Sequence, residues 1–241
     1  TITYNNLTAP ELFGRGIYAF NTYGKIGGSA IDANTIVAVY ALQGGEIGGG
    51  TGNDFEFSYN NVPAGLVSVV GADEGTHKLN NNTIGTGIVD MVQANTTMRM
   101  LEIKGSRGAN AHIEVANNII SNYSNIGLFI QRSNNITVKD NTFNPFADAT
   151  NTNFASIVFS SKEGTSGAQS AVTSNNITIV GNTFNGSGNT SGTGIAFFNH
   201  NGGALVKPLE KVKVGGAGTD KNIFHADLAS YIALDPSSGE D

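Results

Sequence analysis

Short runs of alternating apolar and polar residues, each closed by an asparagine-bearing turn, recur along this chain. Ile136-Thr137-Val138-Lys139 alternates for four residues, Asp140-Asn141 interrupts, and Thr142-Phe143-Asn144 resumes. The same order returns at Ile177-Thr178-Ile179-Val180, Gly181-Asn182 and Thr183-Phe184-Asn185. The enclosing blocks, 133–144 and 174–185, agree at nine of twelve positions, with Val138 matched by the similar Ile179. A period of two predicts half-buried strands, with Ile136, Val138, Phe143 and their counterparts Ile177, Ile179 and Phe184 pointing inward. Repetition at tens of residues predicts a solenoid, in which each unit buries its apolar face only against its neighbours.

The turn signature extends beyond this pair. An Asn, one further residue, then an aliphatic or aromatic appears at Asn34-Thr35-Ile36, Asn82-Thr83-Ile84, Asn118-Ile119-Ile120, Asn141-Thr142-Phe143, Asn182-Thr183-Phe184 and Asn222-Ile223-Phe224. Stacked at one corner, these asparagines would bond to one another and to turn backbone that successive strands leave unpaired. A second turn type links the stretch from Lys25-Ile26-Gly27-Gly28 to Asn34 with that from Lys213-Val214-Gly215-Gly216 to Asn222, and a weaker copy starts at Glu46-Ile47-Gly48-Gly49.

Together these patterns resemble the coil repeat of right-handed parallel β-helices, the pectate-lyase-like fold. The resemblance runs from about residue 25 to residue 224 and is weakest between Asn53 and Leu79. It implies an all-β chain, a single-stranded right-handed parallel β-helix forming one domain over residues 1–241. A coil of roughly 20–27 residues divides the length into about nine to eleven rungs, each ~4.8 Å high. The 23 residues from Asn118 to Asn141 suit one coil, whereas 36 from Asn82, 41 from Asn141 and 40 from Asn182 require a hidden coil or a protruding loop. Segments 147–153, 161–170 and 186–193, poor in apolar residues, are the candidate loops.

Composition supports turns over helices: 32 Gly and 30 Asn in 241 residues, with 13% charged side chains. Both residue types tolerate left-handed backbone. Recurrent runs such as Ile36-Val37-Ala38-Val39-Tyr40 argue against disorder. A scattered net charge of −6 lacks the basic footprint of a nucleic-acid binder. There is no run of about 18 apolar residues to span a membrane. With no cysteine, disulfides and thiolate metal sites are excluded. The start at Thr1 is read as a processed or excised piece of a longer exported protein, with an extracellular or cell-surface location.

Candidate chemistry is sparse. Glu102, Lys104, Arg107, His112 and Glu114 form the densest ionisable group. A polysaccharide lyase needs a base beside a uronate carboxylate and a cation to neutralise it. Lys104 with Arg132 resembles the Lys/Arg pair of alginate- and chondroitin-type β-helix lyases, but Ser133-Asn134 stands where that family has His-Gly. Paired carboxylates for glycosidic cleavage are not evident, since Asp140 and Asp148 lie in ordinary polar turns. Segments 49–54 and 215–220 fit the start of a calcium-binding nonapeptide, making Asp54 and Asp220 calcium candidates. That motif needs tandem copies, and these lie 166 residues apart. His77, His112, His200 and His225 share no ligand spacing, so surface or turn positions explain them better than a metal. Tyr18 and Phe20 share one face, which is core or, if exposed, a glycan contact surface together with Tyr23.

These observations favour a non-catalytic module for adhesion, carbohydrate binding or fibre structure, with a polysaccharide or cell-surface glycan as partner. One alternative is a glycan-degrading enzyme of the lyase type. Another is a self-assembling filament subunit joined through exposed strand ends. The β-helix coil serves lyases, hydrolases, tailspikes and adhesins alike, so architecture alone does not choose among them.

Overall fold

The alternating segments become parallel strands because each has the same apolar face to bury and finds it only on the next turn of chain. The structure, a computed structural model, describes residues 1–3, 5–9, 15–20, 23–45, 54–72, 74–86, 99–106, 108–146, 154–160, 174–188, 191–198 and 209–235. Among these residues the protein is all-β, its only helical element a single 3-10 turn at Gly218–Asp220. Every strand pairing is parallel, in a fourteen-stranded and a seven-stranded sheet that together nearly close, consistent with a parallel β-helix or β-solenoid.

The smaller sheet stacks Gly24–Gly27, Phe55–Ser58, Glu74–Asn80, Asn110–Ala116, Ile136–Lys139, Ser174–Val180 and Leu209–Val214 in chain order. The larger contains short strands directly after each corner, such as Ile119–Tyr123, Thr142–Pro145 and Thr183–Phe184. It also contains longer ones, such as Arg99–Lys104, Ile126–Gln131, Ala155–Ser160 and Thr193–Phe198. Thr35–Gly45 and Asn61–Val70 run through both parts.

Inward residues form rows along the stack. Val62, Ile84, Ile120, Phe143, Phe184 and Phe224 are consecutive partners. Phe143 and Phe184 stack at 5.2 Å between centroids, and Phe184 and Phe224 at 4.7 Å. Ile26, Phe57, Leu79, Val115, Val138, Ile179 and Val214 make a second row, on the smaller sheet. Ile136, Val138, Phe143, Ile177, Ile179 and Phe184 are all buried, as the repeat register predicts.

One corner carries an asparagine ladder. Asn34, Asn82, Asn118, Asn141, Asn182 and Asn222 are buried there, joined by Asn60 and, at the first rung, by Asn5. Asn141 typifies the geometry. Its Oδ1 accepts from the backbone N–H and Nδ2 of Asn118, both at 2.9 Å. Its Nδ2 donates to the Val115 carbonyl at 2.8 Å and to Asn182 Oδ1 at 3.0 Å. All four side-chain capacities of the amide are therefore met by backbone or by the same residue type on adjacent turns. Direct bonds from Asn82 to Asn118, Asn141 to Asn182 and Asn182 to Asn222 make each long interval a single step. The candidate loops 147–153 and 161–170 lie outside the described residues.

The residue before the rung adopts left-handed backbone: φ is 60° at Tyr59, 57° at Asn81, 55° at Asn117 and Asp140, and 67° at Gly181. Asn and Asp tolerate that region best among residues with a side chain. This explains why Asp140 and Gly181 differ within an otherwise conserved pair of blocks. At Gly181 a Cβ would also meet Asp140 Oδ1 at 2.1 Å. The second turn type is the same corner with an insertion. The inward strand residue precedes the rung by three positions at Val138 and Asn141, but by eight at Ile26 and Asn34 and at Val214 and Asn222. The copy starting at Glu46 lies outside the described residues.

Two losses of stability are expected. Asn141→Ala and Asn182→Ala should each cost about 1–3 kcal/mol in urea unfolding, because buried backbone groups on two neighbouring turns lose their partner. Phe184→Ala should cost roughly 3–5 kcal/mol, since the ring is buried between two others and its cavity has stiff walls.

Candidate binding surface and charged cluster

Outward positions alternate with the core rows, so each face of the solenoid presents its own rows to solvent. On the smaller sheet one such row reads Lys25, Glu56, Lys78, Glu114, Thr137, Thr178 and Lys213. Opposite signs sit on adjacent strands, and Lys25 Nζ lies 2.9 Å from Glu56. Beyond the asparagine corner, Asn61, Thr83, Ile119, Thr142, Thr183 and Ile223 form an outward row. Beside it Asn185 Nδ2 donates to Asn144 Oδ1 at 2.7 Å, and Asn144 Nδ2 to Ser121 Oγ at 3.1 Å.

The ionisable group that looks contiguous in sequence is divided between faces. Glu102 and Lys104 lie on Arg99–Lys104 in the larger sheet, whereas His112 and Glu114 lie on Asn110–Ala116 in the smaller one. Arg107 is outside the described residues. Glu102 is 5% exposed and fully engaged. Arg99 reaches its Oε2 at 2.6 Å, Lys104 its Oε1 at 2.9 Å, and Ser68 Oγ donates to Oε1 at 3.1 Å. The Arg99 guanidinium also sits 3.6 Å over the Phe129 ring. Charge compensated from two sides offsets the cost of desolvating the carboxylate, and the ring face stabilises the Arg99 guanidinium. Beyond Glu102 the outer row continues as Phe129, Val158 and Ala196, which form a second buried apolar cluster with Ala155.

Lys104 is the register partner of Gln131, and Arg132 follows one residue later with φ of 47°. The register therefore does not put Arg132 in the Lys104 row. Arg132 belongs instead to a second, smaller corner, where Ser106 N–H donates to Ser133 Oγ at 3.2 Å and Ala72 N–H to Ser106 Oγ at 3.1 Å. Ser106 lies outside the sequence repeat, Ser133 opens a repeated block that gives no sign of its corner role, and the rungs Asn5 and Asn60 were not singled out. Asn5-Asn6-Leu7 and Asn60-Asn61-Val62 carry the Asn-x-aliphatic signal, which a second adjacent Asn obscures.

The calcium candidates are far apart in the stack. Asp54 Oδ1 accepts the Thr76 N–H at 2.9 Å, and Asp220 pairs with Lys213 at 3.0 Å near the opposite end. Among the described residues no group of three or more His, Asp or Glu is placed to hold a metal ion. His225 bonds Asp227, whose other oxygen takes the Gly188 N–H at 2.9 Å. Burial raises the Asp227 carboxyl, but these two partners outweigh it and hold the group below its usual range.

His77 corrects the surface assignment made for the histidines. It is fully buried, in the inward row between Phe55 and Ile113, with Nε2 2.7 Å from the Glu74 carbonyl and no partner on Nδ1. His200 is outside the described residues. Ile17 and Ala19 point inward and Tyr18 outward, so the core assignment fails for Tyr18. Tyr18 is 59% exposed and Tyr23 is 69% exposed, with the Arg15 guanidinium 5.2 Å from the Tyr18 ring centroid. The Phe20 side chain is not among those described.

A pH dependence follows from His77. Burial pushes its pKa below 6.5, ahead of weaker effects from the Glu74 carbonyl, Asp54 and His112. The neutral ring is then fully favourable above the unfolded value, and stability is lost as pH falls below about 6.5 toward the folded value, by at most ~1.4 kcal/mol per pH unit. In urea titrations at pH 7.5 and pH 5, His77→Leu should remove that loss while matching the parent at the higher pH.

Among the described residues no helix is long and apolar enough to cross a membrane. Comparison with protein-family models, with curated proteins and with solved structures finds no match for this chain.

Proposed function

We propose that the protein is a non-catalytic, extracellular or cell-surface β-helix module that binds polysaccharide or cell-surface glycan through its outward polar rows. In this reading the solenoid winds right-handed with one coil per asparagine rung, eight among the described residues against about nine to eleven expected from repeat length, and forms one domain of an exported protein. The carrying observation is the closed charge cluster. Glu102, the one carboxylate beside Lys104 on its strand, is buried and ion-paired on both sides, and the row beyond it is apolar. A lyase base must be free to take a proton from substrate, with a cation aimed at the adjacent carboxylate. Lys104 is engaged by Glu102, and its register neighbour is Gln131.

The outward rows support binding instead. Thr142 and Thr183, with Asn144 and Asn185 alongside, repeat hydrogen-bonding groups on adjacent strands, a spacing a flat glycan chain can follow. Tyr18 and Tyr23 add exposed rings suited to sugar faces. Contacts of this kind are weak singly and gain from repetition.

Incubation with pectate, alginate and glycosaminoglycans should give no ultraviolet-absorbing unsaturated product, while immobilised glycans retain the protein. Tyr18→Ala combined with Tyr23→Ala should weaken that retention by about tenfold, equivalent to ~1.4 kcal/mol. Turnover of a uronate polymer that vanishes on Lys104→Ala would replace this function with the lyase.

A further inference from the structure

The strands that follow the asparagine corner present a face without charge. Residues 61–64, 83–84, 119–123, 142–146 and 183–187 include no Asp, Glu, Lys, Arg or His, although the chain as a whole carries −6. The acids at the margins of this face bring basic partners of their own. Asp140 stands 3.6 Å from Lys139, and Asp227, packed on Gly186, is bonded by His225.

The middle of the face is built on three adjacent strands, Ile119–Tyr123, Thr142–Pro145 and Thr183–Phe184. Thr142 and Asn144 point outward, alternating with the buried Phe143 and Pro145, and Phe146 follows with its side chain 38% exposed. Alternation sets Thr142 and Asn144 ~6.6 Å apart along the strand, with the ring beyond them. On one side lie Ile119, 44% exposed, and Ser121. On the other lie Thr183 and Asn185, at the ~4.8 Å spacing of adjacent strands. A register shift after Ser121 turns Tyr123 into the core, where its hydroxyl meets Ser156 at 2.7 Å. Phe146 N–H donates to the Tyr123 carbonyl, so the small Ser124 comes next to Phe146 on the preceding turn.

Hydrogen-bonding capacity on the strip is only partly used. Asn144 Oδ1 accepts one bond from Asn185, and its Nδ2 donates one to Ser121 Oγ, which leaves a lone pair and an N–H. Among the described residues Asn185 Oδ1 and the Thr142 and Thr183 hydroxyls have no protein partner.

We propose, resting on the glycan-binding reading above, that this strip around Phe146 and Asn144 holds the polysaccharide, and that the polymer is neutral, its sugars bearing hydroxyls and no carboxylate or sulfate. An aromatic ring takes the apolar face of a pyranose, while amides and hydroxyls both donate and accept, as sugar hydroxyls do. An acidic polymer would meet no cation on the strip, and desolvating its charges there without a partner is costly. On the longer strands Arg99 and Lys104 are already engaged by Glu102. Thr142 repeats as Thr183 and Asn144 as Asn185, so a polymer crossing the strands meets the same pair again, and affinity grows with its length.

Retention of the 241-residue chain on columns carrying galactomannan, mixed-linkage β-glucan, starch, pectate or heparin tests this. At least one neutral polymer should retain the protein equally at low salt and at about 1 M salt, where charges are screened beyond ~3 Å. Pectate and heparin should not. Phe146→Ala should weaken retention about tenfold, and Thr142→Val with Thr183→Val, which removes two hydroxyls at constant shape, about threefold. Far-ultraviolet circular dichroism should stay unchanged, and if Phe146→Ala perturbs it the threonine pair is read instead. Retention by an acidic polymer that is lost in high salt would overturn the neutral class and leave the glycan function standing. Neutral retention indifferent to Phe146→Ala and to the threonine changes would overturn the site alone. No retention by any of these polymers would overturn this proposal and the glycan function together.

Discussion

Everything in this fold depends on one corner where backbone must turn inside a stack of sheets. Strand pairing satisfies peptide groups along the faces but not at the bend, and a buried unpaired group there would cost ~1–3 kcal/mol per turn of chain. The asparagine ladder removes that cost by one repeated device. Each side-chain amide takes the N–H of the previous rung and returns a donor to that turn's carbonyl, as Asn118 does with Leu79 and Asn182 with Val138. No other side chain offers two donors and a doubly accepting oxygen in so short a reach.

The ladder in turn sets the register. With the rung held, the residue two positions later must point inward, and the apolar row from Val62 to Phe224 follows. The residue before the rung must accept left-handed backbone, which is met by Asn81, Asn117, Asp140 and Gly181. Chain between rungs is free to vary in length, from 22 residues at Asn60 to 41 at Asn141. Insertions are therefore tolerated while strand pairing stays continuous.

Interior and exterior answer to different demands. Inward rows are uniform because neighbours must stack, whereas outward rows change character from face to face: charges and threonines on the smaller sheet, threonines and asparagines after the corner, and a buried apolar cluster beyond Glu102. This separation lets the outward rows vary without disturbing the core.

The amino-acid sequence alone determined the alternating strands and inward residues of the 133–144 and 174–185 blocks and six rungs of the ladder, but not the strands between Asn53 and Leu79. These are local consequences of alternation and of a turn chemistry repeated within a few residues. Asn5 and Asn60 were hidden by an adjacent Asn, and Ser106 by the absence of any repeated block around it, while Ser133 opens the 133–144 block without any sequence sign that its hydroxyl caps a neighbouring turn. Tertiary structure alone decided which charges meet. Glu102 and His112 are ten residues apart, yet the corner at Ser106 sends them to different sheets, and Glu102 takes Ser68 from the preceding turn as partner. It likewise decided that Tyr18 faces solvent while His77 faces Phe55 and Ile113, because the side a strand turns inward is set by register with strands some twenty to forty residues away.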